Sequence, residues 1–458
     1  MQTNRSAFIT LISVFFFWGF VAASNDILIP VFKEKLNLTQ GQSQMIAVAF
    51  YVAYTVGSII YLLLSKLNGG DILNKLGYKN GIALGLCISA AGTLLFYPAA
   101  ELVSFPLMIS GLFIVALGFS LQQTAANPLA IVLGDPAKGS QRLSLAGGIN
   151  NIGTTIGPLV VSFAIFGAPG SHPIDDIGDV KIPYLVLGLA FLLVAILFKV
   201  SSLPNQLYSE TSGEKETGII SKYPQLKFGM IAIFLYVGVE VATASNLPEY
   251  MRQHAGIATD GAAPYISLFW ASLMIGRWTS SARTFTKHAA LLRFLLPYAA
   301  FGVFLLVNYF AGSNLQVFYP YAAVIVVLLV AEIMSKGNPS RQLIIFSSLG
   351  IAALLIGMMT TGLVSVYAFI SVGLFCSTLW PCIFTVAISG LGKNTNTGSS
   401  YLIMMIMGGG LVSALQGLLA DSFTGIKGSY IVGVICFAYL LWYGWKTAHL
   451  SQSERVAH

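Results

Sequence analysis

The sequence predicts an all-α polytopic membrane protein, and three observations support this fold class. First, 56% of the 458 residues are hydrophobic and only 9% are charged, whereas soluble domains are about 25% charged. Second, the chain contains many apolar runs of about 20 residues, the length at which a helix crosses a bilayer and about twice that of a barrel strand. Third, Lys and Arg lie mainly in the short segments between these runs.

The first half of the chain contains six apolar runs, followed by a polar stretch. The runs cover roughly residues 7–31, 43–65, 80–99, 103–133, 143–166 and 183–203. Residues 201–227 are rich in charge, Pro and Ser, which is typical of a linker. We therefore expect an N-terminal six-helix bundle over residues 1–203 and a cytoplasmic linker over residues 204–225.

The second half contains eight apolar runs, two more than the first. They cover roughly residues 226–251, 262–284, 289–311, 316–335, 341–361, 363–390, 398–420 and 428–447. An even number of extra helices leaves the topology of the flanking helices unchanged. We predict a C-terminal bundle over residues 226–458 that contains one extra helix pair, and hence fourteen transmembrane helices in all.

The basic residues predict the orientation of the chain. If the N-terminus is cytoplasmic, about 18 of the 24 Lys and Arg residues lie on the cytoplasmic side, as the positive-inside rule requires. We therefore expect a multi-pass protein of the plasma membrane, the inner membrane in a bacterium, with both termini in the cytoplasm. The net charge of +7 is scattered over short loops, which argues against binding of nucleic acid.

No group of residues in the sequence indicates catalysis or metal binding by Cys and His. The four Cys fall in apolar runs, and all five His fall in loops or the C-terminal tail, so neither a disulfide framework nor a Cys/His metal site is expected. The sequence also lacks a nucleophile–base arrangement and a Gly-rich phosphate loop. We therefore expect that the protein is not an enzyme and uses no cofactor.

Asp26 lies well inside the first apolar run, and Glu240 lies in the middle of the first run after the linker. A charge at bilayer depth costs several kcal/mol, so it is kept where it faces a partner, a cavity or an ion path. Asp26 follows Ser24 and Asn25, and these oxygens together could bind a hard cation such as Na+ or carry a proton. The alternative for Asp26 is a structural ion pair near the outer mouth. Glu240 could bind a ligand hydroxyl, bind the cation, or be permanently protonated.

Amide side chains form two polar clusters inside predicted spans. Gln123 and Asn127 are four residues apart, so they share one helix face. Asn150 lies in the next run, one turn before Thr154. Amides offer both donors and acceptors, which suits a ligand rich in hydroxyl groups. The alternative is that these amides bond neighbouring helices to each other.

Trp270 and Trp380 are candidate stacking platforms, because an aromatic ring can pack against the apolar C–H face of a sugar. Trp380 precedes Pro381, which interrupts the helix within a span. The alternative for either tryptophan is an anchor at the membrane interface, where this residue type is common. Arg277, near the cytoplasmic end of its span, is expected to hold a loop rather than to contact a ligand.

Nine stretches, spread over nearly the whole chain, resemble the fucose/glucose–galactose permease family of the major facilitator superfamily. They are NDILIP (25–30), AFYVAY (49–54), LGYKNGI (76–82), QTAANP (123–128), NNIGTTIGP (150–158), FLYVGVE (234–240), MIGRW (274–278), WPCIFTVAISGLG (380–392) and GSSYLIMMIMGGG (398–410). The resemblance implies a major facilitator fold, two six-helix bundles that work by alternating access. It implies functional roles for Asp26, Gln123, Asn150 and Glu240. Residues near 289–335 depart from the family pattern, so we place the extra helix pair there.

Two positions distinguish branches of this family. The resemblance implies that, in the fucose–proton branch, a glutamate occupies the position that matches Gln123 and a glutamine occupies the position that matches Glu240. Here the two residue types are exchanged, which resembles the glucose/galactose branch, some of whose members depend on sodium. The exchange also removes an acid at position 123 that could accept a proton, and leaves Asp26 and Glu240 as the ionisable candidates.

These features together predict a cation-coupled symporter for a monosaccharide, a hexose such as glucose or galactose, with sodium as the favoured ion. Its expected partners are the sugar, a monovalent cation and the lipid bilayer, and it is expected to act as a monomer. The alternatives are coupling to protons, uncoupled facilitation, and a sugar sensor without turnover. The predicted sugar-binding residues are Gln123, Asn127, Asn150, Glu240, Trp270 and Trp380, and the predicted cation-coupling residues are Asp26, Asn25 and Glu240.

Overall fold

The structure is a computed structural model that describes residues 5–67, 72–132, 139–166, 181–201, 222–285, 289–389, 391, 395–422 and 424–456. Within these ranges, the backbone of Asn25, Asp26 and Asn127 is helical, but their side chains lie outside the described part. The predicted linker over residues 204–225 falls largely outside the described residues as well.

Helices make up nearly all of the described residues of the first half. They are α1 (Arg5–Lys35), α2 (Gln40–Ser43), α3 (Met45–Leu67), α4 (Ile72–Leu76), α5 (Tyr78–Leu94), α6 (Phe96–Glu101), α7 (Phe105–Val132), α8 (Gly139–Phe166) and α9 (Lys181–Val200). Helix α2 carries a capping box, in which the Thr39 hydroxyl accepts from the backbone of Gln42 and the Gln42 side chain accepts from the backbone of Thr39.

The second half begins with α10 (Pro224–Tyr250), which continues as one π turn, Met251–Ala255. The remaining helices are α11 (Ala263–Phe285), α12 (Ala289–Phe310), α13 (Ala322–Ser335), α14 (Pro339–Met359), α15 (Gly362–Cys376), α16 (Leu379–Ile388), α17 (Thr395–Met404), α18 (Gly408–Ala420), α19 (Gly425–Ser429) and α20 (Ile431–Val456). The chain between α12 and α13 forms two 3-10 turns, Leu315–Val317 and Tyr319–Tyr321.

Ten helical stretches in the described part of the chain are long and apolar enough to cross a membrane. Two shorter apolar helices, Ile9–Ala23 and Phe294–Phe310, add to them. Many large apolar side chains on these helices are exposed, such as Leu84, Leu193 and Phe310, as expected where lipid is the solvent. The predicted all-helical polytopic architecture is confirmed, whereas the total of fourteen spans stays a prediction.

The helices of the two halves pack in matching pairs. In the first half α1 lies along α8, α3 along α7, and α5 along α9. In the second half α10 lies along α18, α11 along α15, and α14 along α20. Helices α12 and α13 have no counterpart in this scheme, and α12 packs on α11. This pattern favours two related bundles with an extra pair between α11 and α14, which remains a proposal.

Two predicted spans are broken in the structure. Residues 363–390 form α15 and α16, separated at Ser377 and Thr378. Pro381 has no N–H to donate to the carbonyl of Ser377 four residues earlier, so the helix cannot continue through this point unchanged. Residues 398–420 are interrupted by a 3-10 turn, Met405–Met407.

Glycines bring α1 and α8 into backbone contact. A Cβ atom on Gly19 would lie 2.0 Å from the carbonyl oxygen of Asn150, and one on Gly153 would lie 2.2 Å from that of Phe16. Since neither position has room for a side chain, the two helices touch along their backbones, as small residues allow in membranes. This contact holds Asn150 beside α1. Between the halves, α8 packs on α11 and α3 packs on α18.

Candidate functional site

Glu240 lies in the middle of α10 and is half-buried between the buried residues Val239 and Val241. The hydroxyl of Tyr236, one turn earlier on the same helix face, donates a hydrogen bond to Oε2 of Glu240. Tyr236 itself is only 2% exposed. The carboxylate is therefore oriented by a buried neighbour, and its other oxygen remains available to a ligand.

Trp380 lies next to this pair. Its ring centroid is 6.1 Å from that of Tyr236, and it stacks on Phe384 at 6.3 Å. Trp380 is half-buried, so part of its surface is accessible. Trp270, in contrast, is 6% exposed and packs edge-on against Phe269 with centroids 5.4 Å apart. The geometry brings Trp380 together with Glu240, whereas the predicted stacking role of Trp270 stays a prediction.

The predicted amides of the first half contact neighbouring helices. Nε2 of Gln123 donates to the hydroxyl of Tyr54 at 3.1 Å, which joins α7 to α3. Nδ2 of Asn150 donates to the carbonyl of Phe15 at 2.9 Å, which joins α8 to α1. Both side chains are half-buried, and each of these bonds uses only one of the positions that an amide offers. Both amides therefore hold helices together and retain capacity for a ligand.

Gln122 differs from its neighbour Gln123. It is fully buried, accepts a hydrogen bond from Nε1 of Trp18 at 2.9 Å, and donates to the hydroxyl of Ser89 at 3.0 Å. Since its partners lie on α1 and α5, Gln122 connects three helices. Gln122 thus stabilises the bundle, while Gln123 is the member of the pair with an accessible side chain.

The side chains of Asn25 and Asp26, the predicted cation site, and of Asn127 lie outside the described residues, so their predicted roles stay predictions. Among the described residues no cluster of three or more His, Cys, Asp or Glu side chains suits a metal ion. Glu240 is the one predicted coupling residue whose side chain is described.

Arg277 makes a contact between the halves that the sequence did not indicate. Nε donates to the carbonyl of Ser377, in the turn between α15 and α16, at 3.2 Å, and Nη1 donates to Oδ1 of Asn151 on α8 at 3.2 Å. Pro381 leaves that carbonyl without its helical partner, which explains why it is open to Arg277. The positive charge also acts on Glu240. In the sequence, Pro381 four residues after Ser377 was the feature that could have indicated a free carbonyl at Ser377.

A second set of contacts joins the halves at the end of the bundle where α1 and α10 end. Nζ of Lys33 lies 2.8 Å from Oε1 of Glu249, whose side chain is 6% exposed. Arg252 and Gln253, on the same half as Glu249, also donate to this carboxylate. Lys33 therefore supplies the part of this cluster that crosses from one half to the other.

Polar residues on α2 and at Gln44, which directly follows α2, also contact the second half. Nε2 of Gln40 donates to Oδ1 of Asn246 at 2.8 Å, and the Ser245 hydroxyl donates to Oε1 of Gln44 at 2.9 Å. The carboxylate of Asp421 accepts from the backbone N–H of Gln40 at 2.8 Å and of the next residue at 2.6 Å. We call the residues that cross between the halves here, Lys33, Gln40, Gln44, Ser245, Asn246, Glu249 and Asp421, the gate cluster.

The long apolar helices, the matched halves and the polar centre between them define a polytopic membrane transporter. The family model that matches this chain is that of the Major Facilitator Superfamily, over residues 7–330. The chain therefore belongs to this superfamily, within its fucose/glucose–galactose permease family.

Relatives cover almost the whole chain. A protein named glucose/galactose transporter from Brucella abortus is 32% identical over 442 residues, which are 96% of this chain and 93% of the relative. A putative glucose/galactose transporter from Helicobacter pylori J99 is 30% identical and covers 97% of both chains. The L-fucose–proton symporter of Escherichia coli K12 is 28% identical and covers 94% of this chain and 91% of its own.

Solved structures agree with this assignment. The crystal structure of the Major Facilitator Superfamily transporter FucP in the outward conformation superposes with a TM-score of 0.64 and 27% identity. It covers 96% of this chain and 98% of FucP. The predicted major facilitator fold is therefore confirmed.

Proposed function

We propose that this protein is a cation-coupled symporter for a monosaccharide, a hexose such as glucose or galactose, that works by alternating access. The observation that carries the proposal is the pairing of Glu240 with Tyr236 beside the half-buried ring of Trp380. This arrangement offers a carboxylate for sugar hydroxyls and an aromatic face for the apolar side of the ring. The names of the relatives from Brucella abortus and Helicobacter pylori point to the same class of substrate.

The first half supplies the opposite side of the proposed site. Gln123 and Asn150 keep unused amide positions, and each is tied to its own half by a single bond. A sugar between the halves would exchange or extend these bonds, so that its binding changes how the halves pack. We include Asn127 among the sugar-binding residues, because it lies one turn after Gln123 on the same face.

The coupling ion is a separate part of the proposal. We favour Na+, bound at or near Asp26 with Asn25 and with help from Glu240, because carboxylate and amide oxygens are ligands for hard cations. Proton coupling is the second candidate, and the Escherichia coli relative is named a proton symporter. Either ion couples to the sugar when each raises the affinity for the other, a linkage that is reciprocal.

We further propose that both termini are cytoplasmic, which puts the gate cluster at the outer face. The gate cluster then closes the outer entrance in this structure, whereas the matched FucP structure is in the outward conformation. Two six-helix bundles would rock about the central site, with α12 and α13 as the extra pair. The protein is expected to do this as a monomer in a bacterial inner membrane.

Uptake of labelled glucose into proteoliposomes, with and without a sodium gradient at fixed pH, tests the proposal. We expect accumulation that needs the sodium gradient. Accumulation that ignores sodium and needs a proton gradient would replace Na+ by H+ as the coupling ion. Exchange without accumulation would indicate a facilitator, and binding without any uptake would indicate a sensor.

A paired substitution tests the role of Glu240. Glu240→Gln should weaken glucose binding, whereas Glu101→Gln, which removes an exposed carboxylate far from the site, should leave it unchanged. Full glucose affinity in Glu240→Gln would exclude the carboxylate as a sugar ligand.

A further inference from the structure

Arg277 and Asn151 are held between the halves in a way that leaves hydrogen-bond donors unused. The guanidinium group has five N–H donors, and its bonds to Asn151 and Ser377 use two of them. Asn151 is 3% exposed, and its Nδ2 has no hydrogen-bond partner among the described residues. Buried amide donors are nearly always paired in folded proteins, so this donor set requires an acceptor.

The same place has a second unpaired group. Thr378 follows Ser377 at the break between α15 and α16, is 3% exposed, and its hydroxyl has no partner in the described part of the chain. The break itself follows from Pro381, which also frees the Ser377 carbonyl for Arg277. The two unpaired polar groups therefore belong to Asn151, which Arg277 contacts directly, and to the residue that follows its other partner, Ser377.

The charges around Arg277 restrict what can bind. Its positive charge lies close enough to influence Glu240 and Tyr236, two groups of the proposed site. An ionised Glu240 carries the charge opposite to that of Arg277, and with these two charges balanced a neutral ligand fits better than an acidic one. The oxygens of a neutral polyhydroxylated ring can accept from several N–H donors at once.

We propose that Arg277 and Asn151 form the hydrogen-bond-donating side of the sugar site, opposite the accepting carboxylate of Glu240, and that the charge balance between Arg277 and Glu240 selects neutral hexoses over hexuronates. The proposal rests on the proposed function. Asn151 belongs to the first half and Arg277 to the second, so a sugar that contacts both also couples its binding to the contact between the halves.

Binding of D-glucose to the purified protein, measured by calorimetry, tests the donor side. Asn151→Ala should weaken glucose binding about tenfold, and Arg277→Gln about 10- to 100-fold, because the latter loses charge-assisted bonds. The controls are Asn308→Ala, an equally buried asparagine on α12, and Arg341→Gln at an exposed position of α14. Neither control should change glucose affinity.

Competition between D-glucose and D-glucuronate tests the charge balance and does not depend on stability. Glu240→Gln leaves Arg277 uncompensated, so the affinity ratio of glucuronate to glucose should rise at least about tenfold. The double variant Glu240→Gln/Arg277→Gln should bring the ratio back towards that of the wild type. A structural role for Arg277 alone would not reverse a charge preference.

The outcomes separate the two proposals. Wild-type uptake of glucose together with unchanged affinity in Asn151→Ala and Arg277→Gln would overturn the donor assignment and leave the proposed function standing. An unchanged glucuronate ratio in Glu240→Gln would overturn the charge balance. Absence of any hexose binding by the wild type would overturn both proposals.

Discussion

The gate cluster gives the most direct test of alternating access, and Lys33 is the residue to change. Lys33→Gln removes the ion pair with Glu249 that crosses between the halves. Arg252 still neutralises Glu249 in the variant, because both lie on the second half. The substitution therefore weakens the closed state without leaving a buried charge unpaired in either state.

The size of the effect follows from the surroundings of the pair. The Lys33 side chain is 17% exposed and that of Glu249 is 6% exposed, with 2.8 Å between Nζ and Oε1. A charge-assisted hydrogen bond contributes about 1.5–3 kcal/mol. The lysine is partly exposed, and the glutamine that replaces it can still donate a hydrogen bond, so we expect a loss of about 1–2 kcal/mol. The ratio of closed to open molecules should then fall about 5- to 30-fold.

Distances between spin labels measure this ratio. Labels at Glu34→Cys and Ala258→Cys, both at exposed positions near the gate cluster, report the separation of the halves. The background lacks the exposed Cys87, and the three other cysteines are buried. We expect a larger fraction of long distances in Lys33→Gln than in the parent protein.

The matched control breaks an ion pair inside one half. Lys181→Gln removes the contact at 2.6 Å between Lys181 and Glu101, both of which belong to the first half. It should leave the distance distribution unchanged. If Lys33→Gln and Lys181→Gln give the same distribution as the parent, the ion pair does not hold the gate closed, and the reasoning from the gate cluster fails.

Two further predictions concern stability in detergent, measured by thermal unfolding. Gly153→Ala would bring a Cβ within 2.2 Å of the Phe16 carbonyl oxygen, so it should lower the free energy of unfolding by about 1–3 kcal/mol. Gly302→Ala, where a Cβ has no neighbouring side chain or other helix within 4 Å, should be neutral or stabilise the protein by up to about 1 kcal/mol. Equal effects of the two substitutions would refute the close contact. Glu332→Ala removes the buried acceptor of the Gln342 amide at 2.7 Å and should lower the free energy of unfolding by about 1.5–3 kcal/mol. Glu332→Gln keeps an acceptor oxygen and should lower it clearly less. Equal losses would show that this bond does not stabilise the contact between α13 and α14.

The helices were predictable from the sequence, since a transmembrane helix is a local feature set by length and hydropathy. The breaks within the predicted spans were harder to predict. Pro381 indicated an interruption in advance, but the 3-10 turn at Met405–Met407 has no comparable local signal. This turn directly precedes Gly408, where a Cβ would lie 1.9 Å from the carbonyl oxygen of Phe234 on α10. The turn therefore lies where α10 approaches the chain closely.

The partners of the site residues were the part that the sequence could not supply. Glu240 was identifiable as a carboxylate in an apolar run, and Tyr236 one turn earlier is a local partner. Arg277 bonds to Asn151 across 126 positions, and no periodicity or motif encodes a contact of that kind. In the proposed alternating-access cycle the contacts between the halves change, so one sequence has to be compatible with more than one set of them.

The two interpretations of the amides, ligand binding and helix contact, are compatible once the conformational cycle is considered. In this structure Gln123 bonds to Tyr54 and Asn150 bonds to Phe15, each within its own half. Each bond satisfies one donor of its amide, which lowers the cost of keeping that polar side chain inside the membrane. A sugar then has to use the unused amide positions or displace these bonds. Its net affinity is therefore lower than its contacts alone would provide, and moderate affinity is what a carrier that must release its substrate requires.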